Sequence, residues 1–318
     1  MAGEGELSVT WARARARVVG RARELELILA AVAAGRDILL EGPPGTSKST
    51  VLRVIAEEWQ IPLVFVEGNA DLTPGRLLGY HDPARVLQEG YRADNFIDGP
   101  LLQAMRQGGF LYIEELNRAP DDTLNALLTA MAERQVQVPR AELVVAEATF
   151  RVIATMNPYD NIGTTPLSSS VQDRFNRLSL GYQDAEDERG IVGLRAALPQ
   201  TAAELAQALQ ADAVALTRAT REHPEVRQGS SVRGAIDLTL VAGQLLALRE
   251  VSSPGGDGRV TDEQDERRAY AETVYDAMVV TLSGRIHLQQ GSEWLPEQVL
   301  REIWENHFLL NPAAAAPG

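Results

Sequence analysis

A chain of 318 residues with 45% apolar and 23% charged residues has the composition of a globular protein, large enough for one big domain or two ordinary ones. No apolar run approaches the roughly 20 residues that span a bilayer, and Glu4, Glu6, Glu24 and Glu26 interrupt the N-terminal arginines, unlike a secretory or transit segment. The chain is therefore expected to be cytoplasmic and without membrane insertion; zero cysteines exclude disulfides and thiolate metal sites, and a net charge of −14 argues against broad nucleic-acid binding.

The first feature along the chain is the run Arg13, Arg15, Arg17, Arg21 and Arg23. It reads as a solvated face leading into the first helix, with a nucleic-acid arm as the competing reading. Residues 37–180 then alternate strand and helix signals, which predicts an α/β fold with a parallel five-stranded sheet and helices on both faces. The strand candidates are Asp37–Leu40, Pro62–Val66, Phe110–Ile113, Phe150–Thr155 and Arg177–Leu180, each a short apolar run of the buried parallel type. Helical patterns fall at Thr50–Trp59 and at Asp122–Arg134, the second opened by the Pro–Asp helix start "APDD". Beyond Tyr182 the text turns Ala/Leu/Gln-rich, as in "TAAELAQALQADAVALTRA", and predicts a smaller all-helical domain. The expected division is a core over 1–182, a helical lid over 183–311 with a flexible loop at 252–266, and a disordered tail over 312–318.

The chemistry starts in "DILLEGPPGTSKST", a strand running into a Gly-rich turn and a helix. Such a turn collects backbone N–H groups at a helix N-terminus, whose dipole favours an anion. Gly42, Pro43, Pro44, Gly45, Thr46, Ser47, Lys48, Ser49 and Thr50 are the candidate nucleotide contacts. Lys48 has the reach for the β- and γ-phosphates of ATP, and the Ser49 hydroxyl suits Mg²⁺. Ser47 stands where the phosphate-loop pattern has glycine. If that position requires a positive φ, serine costs on the order of 1 kcal/mol.

Farther on, "GGFLYIEELNRAP" is an apolar strand ending in two carboxylates. Strand alternation would let them hold two roles, Glu114 on Mg²⁺ through water and Glu115 on the attacking water. A pair of solvated carboxylates at a strand end is the competing reading. "FRVIATMNP" delivers Asn157 to the end of a further strand, where its amide can hold the attacking water or touch the γ-phosphate; an ordinary Asn-Pro turn is the alternative. His81, His223, His287 and His307 are scattered without zinc-type spacing and read as surface or packing residues.

The blocks "GPPGTSKS", "LTPGRLLGY", "IDGPLLQAM", "EELNRAPDDTLNALLTAMAERQVQV", "VIATMNP", "GTTPLSSSVQDRF" and "GSSVRGAIDL" occur in an order that resembles the MoxR-type branch of the AAA+ ATPases. The resemblance runs from about Val18 to Ile286. It implies that Val19 and Gly20 line an adenine pocket, that Glu114 and Glu115 are the Walker B pair, and that Asn157 is sensor 1. It also implies that Arg174 is an arginine finger for a neighbouring subunit, and that Arg233 is the sensor 2 of the helical lid. A β-hairpin insert is implied at about 78–97, pointing to a ring pore. As activity it implies ATP hydrolysis by a homo-oligomer, a hexameric ring that remodels a protein client and partners a protein with a von Willebrand factor A domain. Two departures from the general pattern, Ser47 and Glu114 in place of aspartate, bear on turnover more than on binding. They leave open a nucleotide-gated switch or scaffold, and the motif order also suits a cofactor-inserting motor related to magnesium chelatase; a DNA translocase fits the negative charge poorly.

Overall fold

The computed structural model describes residues 4–138, 140, 142–158, 167–198, 205–251 and 263–310. The chain divides into two compact units, Met1–Gly181 and Tyr182–Gly318. The expected tail at 312–318 and residues 252–262 of the expected loop lie outside the described residues.

The first unit opens with helices α1 (Glu4–Arg15) and α2 (Ala22–Ala33). The arginine run is therefore helical in part, rather than only a lead-in, and three of its members are engaged within the unit, Arg15 lying over the Trp11 ring. Arg17 pairs with Glu57 and Glu58. Arg21 is buried and donates to Glu24 and, at 2.6 Å, to the Gly181 carbonyl. Next come β1 (Ile38–Glu41), α3 (Lys48–Glu58) and β2 (Leu63–Glu67). Helix α4 (Pro74–Leu78), capped by Thr73, leads into β3 (Gly79–His81). Helix α5 (Pro83–Glu89) leads to β4 (Phe96–Asp98), then α6 (Pro100–Gln107) and β5 (Phe110–Glu114). The unit continues with α7 (Asp121–Glu133), β6 (Gln135–Gln137), β7 (Leu143–Val145), β8 (Arg151–Met156), α8 (Ser169–Arg174) and β9 (Asn176–Ser179).

Five of these strands form one parallel sheet in the order β2-β5-β8-β1-β9. β1, β5 and β8 are apolar on both faces because both faces are covered. Leu39, Leu111, Ile113, Val152 and Ala154 pack with Leu101, Leu102 and Met105 of α6 and with Leu124 and Leu127 of α7. Ile38, Leu40, Phe110, Tyr112 and Ile153 face Leu25, Ile28 and Leu29 of α2 and Val51, Leu52 and Ile55 of α3. The result is a helix–sheet–helix layering with β1 inside the sheet and its C-terminal end feeding α3.

Two ribbons lie beside this sheet. β3 and β4 pair antiparallel through Gly79↔Asp98, Tyr80↔Ile97 and His81↔Phe96, and α5 sits in their connection where a bare hairpin was expected. His81 belongs to this ribbon and packs edge-on against Tyr91 and Phe96. β6 and β7 form a second ribbon that the helical reading through Arg134 did not anticipate; its strands are only three residues each and pair with one another alone.

The second unit is helical: α9 (Ala185–Arg195), α10 (Ala206–Glu222), α11 (Val232–Val251), α12 (Glu263–Leu282) and α13 (Pro296–Glu305). Leu209, Leu216, Leu238, Val274, Met278 and Trp304 are among its buried core residues. It also carries a small ribbon of β10 (Val226–Gln228) and β11 (His287–Leu288), too short for a strand pattern to register in the sequence. The expected loop ends earlier than Glu266, because α12 already begins at Glu263. Buried Glu188 is compensated by Arg218 at 3.1 Å and Arg221 at 2.8 Å, as an interior carboxylate must be. His307 meets buried Asp212 at 2.8 Å and His223 packs edge-on against Trp294, so these two histidines are packing residues.

Candidate active site

The loop between β1 and α3 is built on left-handed backbone. Gly42 has φ 157° and Gly45 φ 75°. A Cβ at Gly42 would fall 2.1 Å from the Leu180 carbonyl oxygen, so only glycine fits where β1 turns past the end of β9. Ser47 has φ 64° and ψ 17°, the left-handed conformation in which serine is strained. Relief of about 1–2 kcal/mol is offset by about 0.4–1 kcal/mol of extra unfolded-state freedom in glycine. Ser47→Gly is therefore expected to stabilise the chain by about 0.5–1 kcal/mol in urea unfolding. A loss of stability would show that the loop does not hold this backbone.

Lys48 opens α3 and folds back over the loop. Its Nζ donates to the carbonyl oxygens of Gly42 (2.7 Å) and Pro43 (2.8 Å) and lies 3.4 Å from Thr46 Oγ1. Thr46 Oγ1 in turn donates to the Pro43 carbonyl at 2.9 Å. The ammonium is thus held within the loop by neutral oxygens, which a charged phosphate oxygen can displace.

One residue on, Ser49 Oγ donates to Glu114 Oε1 at 3.2 Å and lies 2.9 Å from the Tyr112 hydroxyl. This joins α3 to the C-terminal end of β5. Tyr112 and Glu114 share a face of β5 because they are two residues apart, and the Tyr112 O–H is 3.3 Å from the same Oε1. Burial pushes the Tyr112 phenol above its usual value, with the Glu114 charge adding to the shift against the Ser49 hydrogen bond. It stays protonated through the neutral range and remains a donor.

Glu115 differs from the expected strand alternation. The strand ends at Glu114, and Glu115 takes a left-handed conformation with φ 55° and ψ 48°. Its N–H donates to Thr155 Oγ1 at 3.4 Å, and its Oε2 is 2.9 Å from Arg118 Nη1. The turn, rather than the pleat, separates the two carboxylates. Gly68 lies against this turn, where a Cβ would be 2.3 Å from the Glu115 carbonyl oxygen.

Asn157 directly follows β8, which lies between β5 and β1 in the sheet, and is half-buried. Val19 is half-buried, and Gly20 has φ 67° beside the Arg21 anchor. Arg174 is exposed at the end of α8. Arg233 is exposed in the first turn of α11, in the second unit. The structure thus brings Lys48, Ser49 and Glu114 to one end of the sheet, with Glu115 and Asn157 following the adjacent strands β5 and β8.

The donor set suits a hard divalent cation. Ser49 Oγ and Glu114 Oε1 are oxygens 3.2 Å apart, and among the described residues no group of three or more His, Cys, Asp or Glu side chains could hold a metal. Mg²⁺ accepts such a half-site because it keeps waters and takes further oxygens from phosphates.

The sheet order, with a Gly-rich loop between β1 and α3, gives the architecture of a P-loop core. Residues 37–175 match the family model of the AAA domain (dynein-related subfamily). An uncharacterized protein of Staphylococcus epidermidis is 28% identical over 73% of this chain and 87% of its own length. The uncharacterized protein YojN of Bacillus subtilis is 32% identical over 49% of this chain, which spans about half (51%) of YojN. The crystal structure of NtrX from Brucella abortus in complex with ADP aligns with a TM-score of 0.50 and 19% identity. That alignment covers 95% of this chain and 64% of NtrX, a likeness of fold. The described helices include none long and apolar enough to cross a membrane.

Reading the sequence missed Tyr112, Thr155, Arg118 and Gly68 as parts of this region. For Tyr112 a signal was present, since a polar tip two residues before Glu114 on a buried strand shares its face. Arg118 had a weaker one, three residues after Glu115 in a turn.

Proposed function

We propose that this chain binds Mg·ATP in the Gly42–Thr50 loop and hydrolyses it, as a ring-forming remodeller of the MoxR-type AAA+ branch. The observation that carries the reading is the joining of Ser49 to Glu114 across α3 and β5 with the Lys48 ammonium within the loop. In this reading Lys48 leaves the loop carbonyls for the β- and γ-phosphates, and the inward N–H groups from Gly45 to Ser49 complete the cradle. Val19 and Gly20 border the adenine. Ser49 and Glu114 hold Mg²⁺, which when bound neutralises charge on the phosphate oxygens. Glu115, turned out of the strand by its left-handed backbone, accepts a proton from the water as its oxygen attacks the γ-phosphorus. Asn157 orients that water. ADP departs with the electrons of the broken P–O bond. Arg233 takes the sensor 2 role that the resemblance implies.

Arg174 is the group assigned to a neighbour's γ-phosphate, and its exposure is compatible with reaching another protomer. The assembly proposed is a homo-oligomer, a hexameric ring, acting on a protein client with a von Willebrand factor A domain protein as partner. The ordered blocks from "GPPGTSKS" to "GSSVRGAIDL" support that branch. Phosphate release per chain is expected to rise with protein concentration. Arg174→Ala should lower it by about 10³-fold while ATP still binds. Parental turnover in that variant, or turnover per chain independent of concentration, would overturn the shared site.

One observation favours a second reading. The Glu115 carboxylate rests on Arg118, and Lys48 rests on loop carbonyls. An ATP-gated switch that assembles on binding and turns over slowly would use this arrangement as its ground state. Clear ATP binding with near-zero phosphate release at high protein concentration would select it.

A further inference from the structure

We infer that Tyr112 is a positioning residue for the divalent-cation half-site, its hydroxyl holding Ser49 and Glu114 in register; this rests on the nucleotide reading proposed above. Three oxygens close a triangle: Ser49 Oγ to the Tyr112 hydroxyl is 2.9 Å, Ser49 Oγ to Glu114 Oε1 is 3.2 Å, and the Tyr112 hydroxyl to Oε1 is 3.3 Å. Tyr112 is only 1% exposed, so its polar tip has been withdrawn from water, and Thr155 supplies a further hydrogen bond to it.

The proton inventory makes the arrangement directional. Ser49 and Tyr112 own one hydroxyl proton each, and the ionised Glu114 can only accept. A cation drawing on a Ser49 lone pair requires the serine proton to point away from it, towards Glu114 or the Tyr112 oxygen. Tyr112 serves both alternatives, accepting from Ser49 or donating to Glu114. Glu114 carries three side-chain torsions, and a donor fixed in the core limits which of them it samples. The ring is held independently of the hydroxyl, tilted against Phe65 with centroids 5.6 Å apart and buried against α2 and α3. Removing the oxygen alone should therefore disturb the cation site and leave the packing.

The test is Tyr112→Phe in the full chain, titrated with a fluorescent non-hydrolysable ATP analogue across Mg²⁺ concentrations and in EDTA. The Mg²⁺ concentration for half-maximal enhancement of analogue binding is expected to rise about tenfold, while affinity in EDTA stays within about twofold of the parent. In a Glu114→Ala background, where the carboxylate no longer needs restraint, the same substitution should shift the Mg²⁺ midpoint by less than about threefold. An unchanged Mg²⁺ midpoint in the single variant overturns the inference. So does equal weakening with and without Mg²⁺, which marks a purely structural hydroxyl. Failure of the parent chain itself to bind the analogue overturns the phosphate-loop reading, and this inference with it. A variant that unfolds in a thermal melt while the parent does not also overturns it, because the hydroxyl would then be serving the core.

Discussion

Glu115→Gln is expected to lower ATP turnover by about 10²–10⁴-fold while leaving ATP affinity within a few-fold of the parent. The amide keeps the size and most of the polarity of the carboxylate but cannot take the proton from the attacking water. Binding should survive, because the carboxylate's neighbour in the ground state is Arg118 at 2.9 Å, whereas Lys48 and Ser49 belong to a different element. The left-handed backbone at Glu115 is common to both residues, so the turn itself should persist. Phosphate release and equilibrium binding on the same preparation separate the two effects. Parental turnover in the variant would remove Glu115 from the reaction.

The second large effect belongs to Lys48→Ala. The ammonium now makes two short hydrogen bonds to main-chain carbonyls, at 2.7 and 2.8 Å. Transferring them to a triphosphate turns them into bonds between full charges, each contributing about 1.5–3 kcal/mol. Loss of both should raise the Kd for ATP by about 10²–10⁴-fold. Stability should fall by about 1–3 kcal/mol, because Gly42 and Pro43 are buried and the Gly42 carbonyl loses its side-chain donor, whereas the Pro43 carbonyl keeps Thr46 Oγ1. Calorimetric titration and urea unfolding give the two numbers. A Kd within threefold of the parent would mean that the phosphates do not sit here.

The sheet was legible because parallel strands buried on both faces announce themselves as apolar runs. Each of the five expected strands lies within one residue of the observed strand at each end. The short ribbons were not legible: β6 "QVQ" and β10 "VRQ" hold too few residues for a period-two pattern, and each is specified by its partner strand rather than by itself. The helix α5 between β3 and β4 was overlooked because "DPARVLQE" is short, although Asp82 and Pro83 form a readable helix start, with the Asp82 carboxylate accepting from Ala84 N–H at 2.9 Å. The strain at Ser47 was anticipated as a condition and is met in the backbone. At Glu115 the expectation of alternating strand faces failed for a physical reason: the pleat ends one residue earlier, and a left-handed turn re-aims the side chain. Tyr112 lies inside the apolar run Phe110–Ile113 and belongs to the core by burial; only its hydroxyl, reaching Ser49, carries the second role.

The most direct test is a crystal structure of the chain with a non-hydrolysable ATP analogue and Mg²⁺. The account predicts that the Lys48 ammonium abandons the Gly42 and Pro43 carbonyls for the terminal phosphates, with Ser49 and Glu114 facing the same ion. An analogue bound elsewhere, with Lys48 still resting on its own loop, would contradict it.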